Sequence, residues 1–321
     1  MRLAPNSAIR TTLGVGLCAA FLLGAAEAPK VSAPLGPGQV TGGVNSYRVA
    51  KGDTVEAIST RFAVNPVRVR QPNQKNLKDG LELNEVVYID QRRVTPTFDP
   101  SVSGIVLNIP EAHVYFVEKG ALVKDYPVGV SQADWKVPLG NSKVALKEKN
   151  PTWHVPPKIQ REMAEKGLPV KTQVPPGPKN PLGSRWIGFA DGTYGFHGTL
   201  EPGSIKRYAS HGCVRMLTPD LEDLFERVSV GTPVRVYYQP VKLAVDGKAV
   251  FLSVYPDHYD MGYNFKGAVR QLAEQAQVAD KVDWKAVDKA LTERDGIFAD
   301  VAITSQVVPT PKPAAEANPT P

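Results

Sequence analysis

The sequence predicts a multidomain, mainly β protein: a small βααβ domain, then a larger β-rich domain, then a C-terminal extension with helices. Three observations predict this. Between Tyr47 and Ile89 the apolar residues change spacing in the order strand, helix, helix, strand. From Ser103 onward, short apolar runs alternate with turn residues. Past Phe265 the apolar spacing becomes helical again.

The chain has 321 residues, 42% hydrophobic and 22% charged, enough for more than one core. Its 29 prolines gather in linkers and loops. The net charge is +6, but no Lys/Arg run is interleaved with aromatics, so nucleic acid is not an expected partner. Residues 1–28 read as a secretory signal peptide: Arg2 and Arg10, an apolar core from Leu13 to Leu23, and Ala26-Glu27-Ala28 for cleavage. The chain is therefore expected to be exported. Cys18 lies within that signal, which leaves Cys213 as the one cysteine of the mature chain, without an intramolecular disulfide partner.

Residues 29–45 are rich in Gly, Pro, Val and Ala without a period and read as a linker. The small domain is expected over 46–92. Tyr47-Arg48-Val49 is its first strand, Asp53-Thr54 the cap of a helix carrying Val55, Ile58 and Phe62, and Asn65-Pro66 the start of a second helix. Val86 to Ile89 closes it. The β-rich domain is expected over 103–240. Its strands are Gly104–Pro110, His113–Val117, Ala121–Val123, Tyr126–Val130 and Ser142–Leu146, with Glu118-Lys119-Gly120 as a turn. A Pro-rich excursion over 150–183 interrupts them, with a short helix over 157–166 stopped by Gly167. It reads as a wall or lid, since long irregular insertions are uncommon without a function. Thr218 is expected to cap a helix whose stripe is Leu221, Leu224, Phe225 and Val228, and Val234–Tyr238 to form a strand. The extension with helices spans 241–305, with helical patterning around 265–276 and 284–291. A Pro-rich tail, expected to be disordered, occupies 306–321.

Two of the five histidines lie near Cys213: His197, at the end of the strand pattern Tyr194–His197, and His211, two residues before the cysteine. A cysteine attacks as its thiolate and needs a base to take its proton, and an imidazole held at its other nitrogen supplies one. Gly212 lets the backbone turn beside the nucleophile and aim N–H groups at an oxyanion. His113, His154 and His258 show no partner pattern and read as surface or core residues. A zinc site normally needs four N/S ligands, and no second cysteine is available, so no metal and no cofactor are expected.

The ordered strings are more specific than the pair. His197-Gly198-Thr199, Ser204-Ile205 and Ser210-His211-Gly212-Cys213-Val214-Arg215-Met216 closely resemble the signature of the YkuD-type L,D-transpeptidases. Asn150-Pro151-Thr152-Trp153, Pro175-Pro176-Gly177 and Asn180-Pro181-Leu182-Gly183 resemble that family too. Phe196, Leu200 and Lys206 depart from it, standing where an aliphatic, Asn and Gly are usual. The run Tyr47, Val49, Gly52, Asp53, Thr54, Ile58, Phe62, Asn73, Leu83 and Ile89 resembles a LysM module, with Asn84 where Gly is favoured.

The resemblance implies Cys213 as nucleophile, His197 as general base and the Gly198 carbonyl as the group orienting the imidazole. It implies Ser210, His211 and Gly212 lining the oxyanion site. Arg215 is implied to hold the site together or to meet a substrate carboxylate, and Trp153 is a further candidate for the substrate side. The implied partner is peptidoglycan, through its stem peptides and glycan strands, with an envelope lipoprotein as another acceptor, in the periplasm or cell wall of a bacterium. Three alternatives stay open: a cell-wall L,D-carboxypeptidase, a cysteine peptidase and a catalytically silent binding protein. Cysteine peptidases of the wall usually carry Cys before His, the reverse of this order. Ser-x-x-Lys, the mark of penicillin-binding serine enzymes, is absent.

Overall fold

The computed structural model describes residues 36–73 and 80–303. The expected signal peptide, the first part of the linker and the tail lie outside the described residues. The described chain is mainly β with six α-helices, and none of these helices is long and apolar enough to cross a membrane.

The N-terminal part holds β1 (Gln39–Thr41), β2 (Val44–Arg48), α1 (Val55–Arg61), α2 (Val67–Arg70), β3 (Val86–Asp90) and β4 (Arg93–Thr95). β2 pairs antiparallel with β3 around the two short helices, and Tyr47, Val49, Ile58, Val69, Val87 and Ile89 form their shared core. Thr54 caps α1 by accepting from the Ala57 amide, as its side chain predicts. Asn84, in the turn before β3, takes the left-handed φ of +69° that Asn tolerates better than most residues. The linker expectation fails over 39–45. β1 pairs with β4, 54 residues away along the chain for Thr41 and Thr95, and β2 begins at Val44. Local composition carries no signal for so distant a partner.

The central part is built on an eight-stranded sheet. Its elements are β5 (Gly104–Asn108), β6 (His113–Glu118), β7 (Ala121–Pro127), β8 (Val130–Ser131), β9 (Gly140–Lys149), β10 (Trp153–His154), α3 (Pro157–Glu165), β11 (Gln173–Val174), β12 (Arg185–Phe189), β13 (Tyr194–His197), β14 (Tyr208–Ser210), β15 (Val214–Arg215), α4 (Thr218–Arg227) and β16 (Pro233–Tyr237). The sheet order is β15-β13-β12-β9-β16-β5-β6-β7. The expected strand over 126–130 is broken: β7 ends at Pro127, and β8 leaves the sheet to pair in parallel with β14. α4 lays Leu221, Leu224 and Phe225 on the sheet, all at most 4% exposed, each burial contributing about 1.5–3 kcal/mol. Thr218 does not cap this helix. The helix starts at Thr218 itself, Leu217 stands extended at the cap position, and Pro219 has no N–H to receive a cap.

The C-terminal extension is not helices alone. β17 (Val241–Asp246) and β18 (Ala249–Val254) form a hairpin, followed by α5 (Phe265–Gln275), α6 (Trp284–Glu293) and β19 (Phe298–Asp300). The three parts pack on one another. The Gly38 amide donates to the Leu243 carbonyl at 2.7 Å, Arg68 donates to the Gly296 carbonyl at 2.7 Å, and Val94, Ala244, Phe251 and Phe298 make a joint apolar core.

Candidate active site

β13 and β15 run parallel, with Phe196 opposite Val214 and His197 opposite Arg215. Side chains alternate across a sheet, so Phe196 and Val214, both 0% exposed, enter the core. His197 and Arg215 then share the opposite face, and Cys213, one residue before β15, joins them. All three line a cleft of about 630 Å3, together with Ser210, His211, Gly212 and Trp153.

His197 is buried and oriented from two sides. Its Nδ1 lies 2.6 Å from the Gly198 carbonyl, which can only accept, so Nδ1 carries the proton and Nε2 is left as the acceptor. The Gly198 amide in turn donates to the Leu182 carbonyl at 2.8 Å, and the Leu182 amide donates to Asn180 Oδ1 at 2.9 Å. Asn180 is fully buried and its Nδ2 donates to the Pro151 carbonyl at 2.8 Å. The Asn180–Gly183 string thus ties the excursion to the imidazole's own support. Behind the ring, Trp186 stacks on His197 at 6.0 Å and 23°. The indole lies where a Cβ on Gly195 would fall, 2.5 Å from its ring carbons, so that glycine is required by close approach.

Cys213 is partly buried at the end of a tight loop. Gly212 has φ +104°, a conformation L side chains rarely adopt, and Ser210 Oγ donates to the Cys213 carbonyl across the loop. Among the described residues, no backbone carbonyl accepts from the amides of His211, Gly212 or Cys213. Burial pushes the Cys213 thiol up to about 11, against a backbone hydrogen bond at Gly195 and the charge of Arg215. Burial also holds the His197 imidazole down at about 4; the Gly198 carbonyl opposes this and Arg215 adds to it. At neutral pH the resting pair is therefore an uncharged thiol beside an uncharged imidazole.

The Pro-rich excursion forms one wall of the cleft. Ile159, Glu162 and Met163 of α3 line it, and Glu162 reaches the catalytic loop, 3.0 Å from His211 Nε2. His211 meets Trp135 edge-on at 4.9 Å, and Lys158 lies over the same indole at 3.7 Å. Arg215 is paired with Glu201 at 2.7 Å on the opposite rim. Glu162, Trp135, Lys158 and Glu201 carry no sequence signal, because their place depends on how the loops fold over the sheet. His113 is not the unpartnered residue its sequence suggests: it is buried between Asp125 and Lys206. Among the described residues, no group of three His, Cys, Asp or Glu gathers where a metal could be held.

Residues 103–236 match the model of the YkuD family, the L,D-transpeptidase catalytic domain. Three Escherichia coli (strain K12) proteins, each designated a probable L,D-transpeptidase, are similar in sequence. YbiS is 36% identical over 50% of this chain and 52% of its own length, and ErfK/SrfK is 34% identical over 53% of each. YcfS is 30% identical over 64% of this chain and 65% of its own. The chain thus spans about half the length of the first two relatives. Among solved structures, L,D-transpeptidase 3 from Mycobacterium tuberculosis aligns with 63% of this chain and 95% of its own, at 16% identity and a TM-score of 0.33.

Proposed function

We propose that this chain, which carries a YkuD-type L,D-transpeptidase catalytic domain, is an exported enzyme that remodels peptidoglycan through a thioester on Cys213. The observation that carries this reading is the alignment of Cys213 and His197 on one cleft-facing side of β13 and β15, with His197 Nδ1 fixed by Gly198. The donor is a tetrapeptide stem. As Sγ attacks the carbonyl at the L-centre of its third residue, Nε2 of His197 takes the thiol proton. The free amides at His211, Gly212 and Cys213 suit the negative oxygen that develops, and Ser210 keeps their loop closed. The amide C–N bond then breaks, and D-alanine leaves as an amine with the proton from His197. An amine of a second stem, or of an envelope lipoprotein, attacks the thioester, transfers its proton to His197 and releases the thiol.

Arg215, paired with the exposed Glu201, stands where a stem carboxylate can exchange for that partner, and Trp153 offers an apolar wall. The βααβ part is read as a LysM-like module that holds the glycan strand near the cleft. Its α1 lies against the 202–204 turn, next to cleft residues Leu200 and Glu201. The test is Cys213→Ala: loss of stem-peptide turnover with an unchanged melting temperature is expected. Retained turnover in that variant would overturn the mechanism.

A further inference from the structure

A second cavity, of about 380 Å3, lies where the N-terminal part, the central domain and the C-terminal extension meet. Residues 199–208 separate it from the cleft. Thr199, Leu200 and Glu201 line the cleft, whereas Lys206 and Tyr208 line the cavity. The proposed reaction uses none of the cavity's residues, yet its walls are crowded with charge. Each carboxylate there is already satisfied. Asp90 accepts two hydrogen bonds from Arg92, both 3.0 Å, and lies 3.8 Å from Arg68. Asp125 is held by Arg93 and by His113 Nε2 at 2.6 Å. Glu111, 2% exposed, is paired with Lys242 and accepts from the Tyr115 hydroxyl. Asp295 accepts from the Ile297 amide at 2.8 Å.

The donors are in surplus. Lys206 Nζ donates to His113 Nδ1 at 2.7 Å and to the Glu111 backbone carbonyl at 3.2 Å, both uncharged acceptors. Among the described residues it makes no ion pair. Arg93 commits one terminal nitrogen to Asp125, and its buried Nε has no hydrogen-bond partner. The backbone is also held against its preference, because Lys206 has φ +60°, a left-handed conformation that costs a residue with a side chain about 1 kcal/mol relative to Gly. A cation with only neutral partners, in a cavity whose carboxylates are taken, lacks a negatively charged acceptor.

We propose that this cavity is a binding site for a small oxyanion, a carboxylate or a phosphate, held by Lys206 and Arg93. His113 supports the arrangement: its Nε2–H is given to Asp125, so its Nδ1 lone pair keeps the Lys206 amine aimed along the wall. Burial brings that amine down to about 7 against the pull of Glu111, with Lys242 and Arg93 adding to the fall and Asp125 opposing it. Burial and Lys206 keep His113 at about 4, so it stays uncharged through the neutral range. The ammonium form is the one that binds an anion. Binding therefore takes up a proton near neutrality, and affinity falls as pH rises through 7.

The test is isothermal titration calorimetry of the full chain with sodium phosphate, sodium acetate and D-alanine, in zwitterionic buffers. Saturable one-site binding of at least one of them is expected, about tenfold weaker at about pH 8 than at about pH 6. Lys206→Gly, which relieves the left-handed backbone and is checked by its melting curve, should lose that binding. Heat from phosphate alone assigns a phosphate site, and heat from acetate and D-alanine a carboxylate site. The proposal is overturned by absence of saturable heat from all three, or by undiminished affinity in Lys206→Gly.

Discussion

Alkylating the nucleophile with a neutral reagent across pH probes the resting state of the Cys213–His197 pair. With the thiol near 11, about one sulfur in ten thousand is ionised at pH 7, against about 3% for a free cysteine at about 8.5. Iodoacetamide should therefore modify Cys213 about 300-fold more slowly than free cysteine at neutral pH, before any loss from restricted access. The rate should climb about tenfold per pH unit up to about pH 10. The assay is mass spectrometry of the Cys213 peptide, which keeps Cys18 out of the measurement. His197→Ala should leave the slow neutral rate within a few-fold. A rate that is fast and flat between about pH 6 and 9, and that collapses in His197→Ala, is the signature of a preformed thiolate–imidazolium pair. That result would refute the uncharged resting state and the concerted proton transfer built on it.

Other expectations follow from single contacts. Gly195→Ala places a methyl 2.5 Å from the Trp186 ring, so it should cost about 1–3 kcal/mol in urea unfolding and lower kcat by displacing the indole behind His197. Glu111→Ala strands Lys242 uncompensated in the core and should cost about 3–5 kcal/mol by the same measurement, whereas exposed pairs such as Arg70–Glu56 should cost less than about 1 kcal/mol. Burial opposes the ionisation of Glu111, but the charges of Lys242, His113 and Lys206 hold its carboxyl at about 2, below its ordinary 4.5. A depressed carboxyl stabilises the fold above its unfolded value, so this contribution should be present above about pH 4.5 and be lost as pH falls toward 2, read as urea midpoints across that window. His197 must be unprotonated to act as base. With its imidazole near 4, kcat/KM should hold its plateau down to about pH 5 and fall only through 4, and a fall centred near 6.5 would contradict that burial effect.

What could be read from the sequence was what local patterning controls. The alternation through Tyr194–His197 and the glycine at 212 place the imidazole, the turn and the thiol together, and both features are visible as residue types in order. The buried stripe of α4 was equally legible, because Leu221, Leu224 and Phe225 recur at helical spacing. The β17–β18 hairpin could have been found: Asp246-Gly247 between alternating apolar runs is a turn signal, obscured by the stronger helical pattern that follows. Other features had no local trace. β1 depends on a partner more than fifty residues away, and the Glu162–His211 contact exists only once the 150–183 excursion folds over the loop before Cys213. The cluster of Arg93, His113, Asp125 and Lys206 draws on four separate segments, so each residue alone looks like an ordinary surface charge or a stray histidine.

The central claim is a covalent one, and intact mass measures it directly. The purified chain is mixed with a tetrapeptide stem in the absence of an amine acceptor, quenched in acid and weighed. The mechanism predicts a single adduct equal to the stem less its terminal D-alanine, mapped to Cys213 and absent from Cys213→Ala. An unchanged mass while the stem is still consumed, or an adduct that survives in Cys213→Ala, would contradict it.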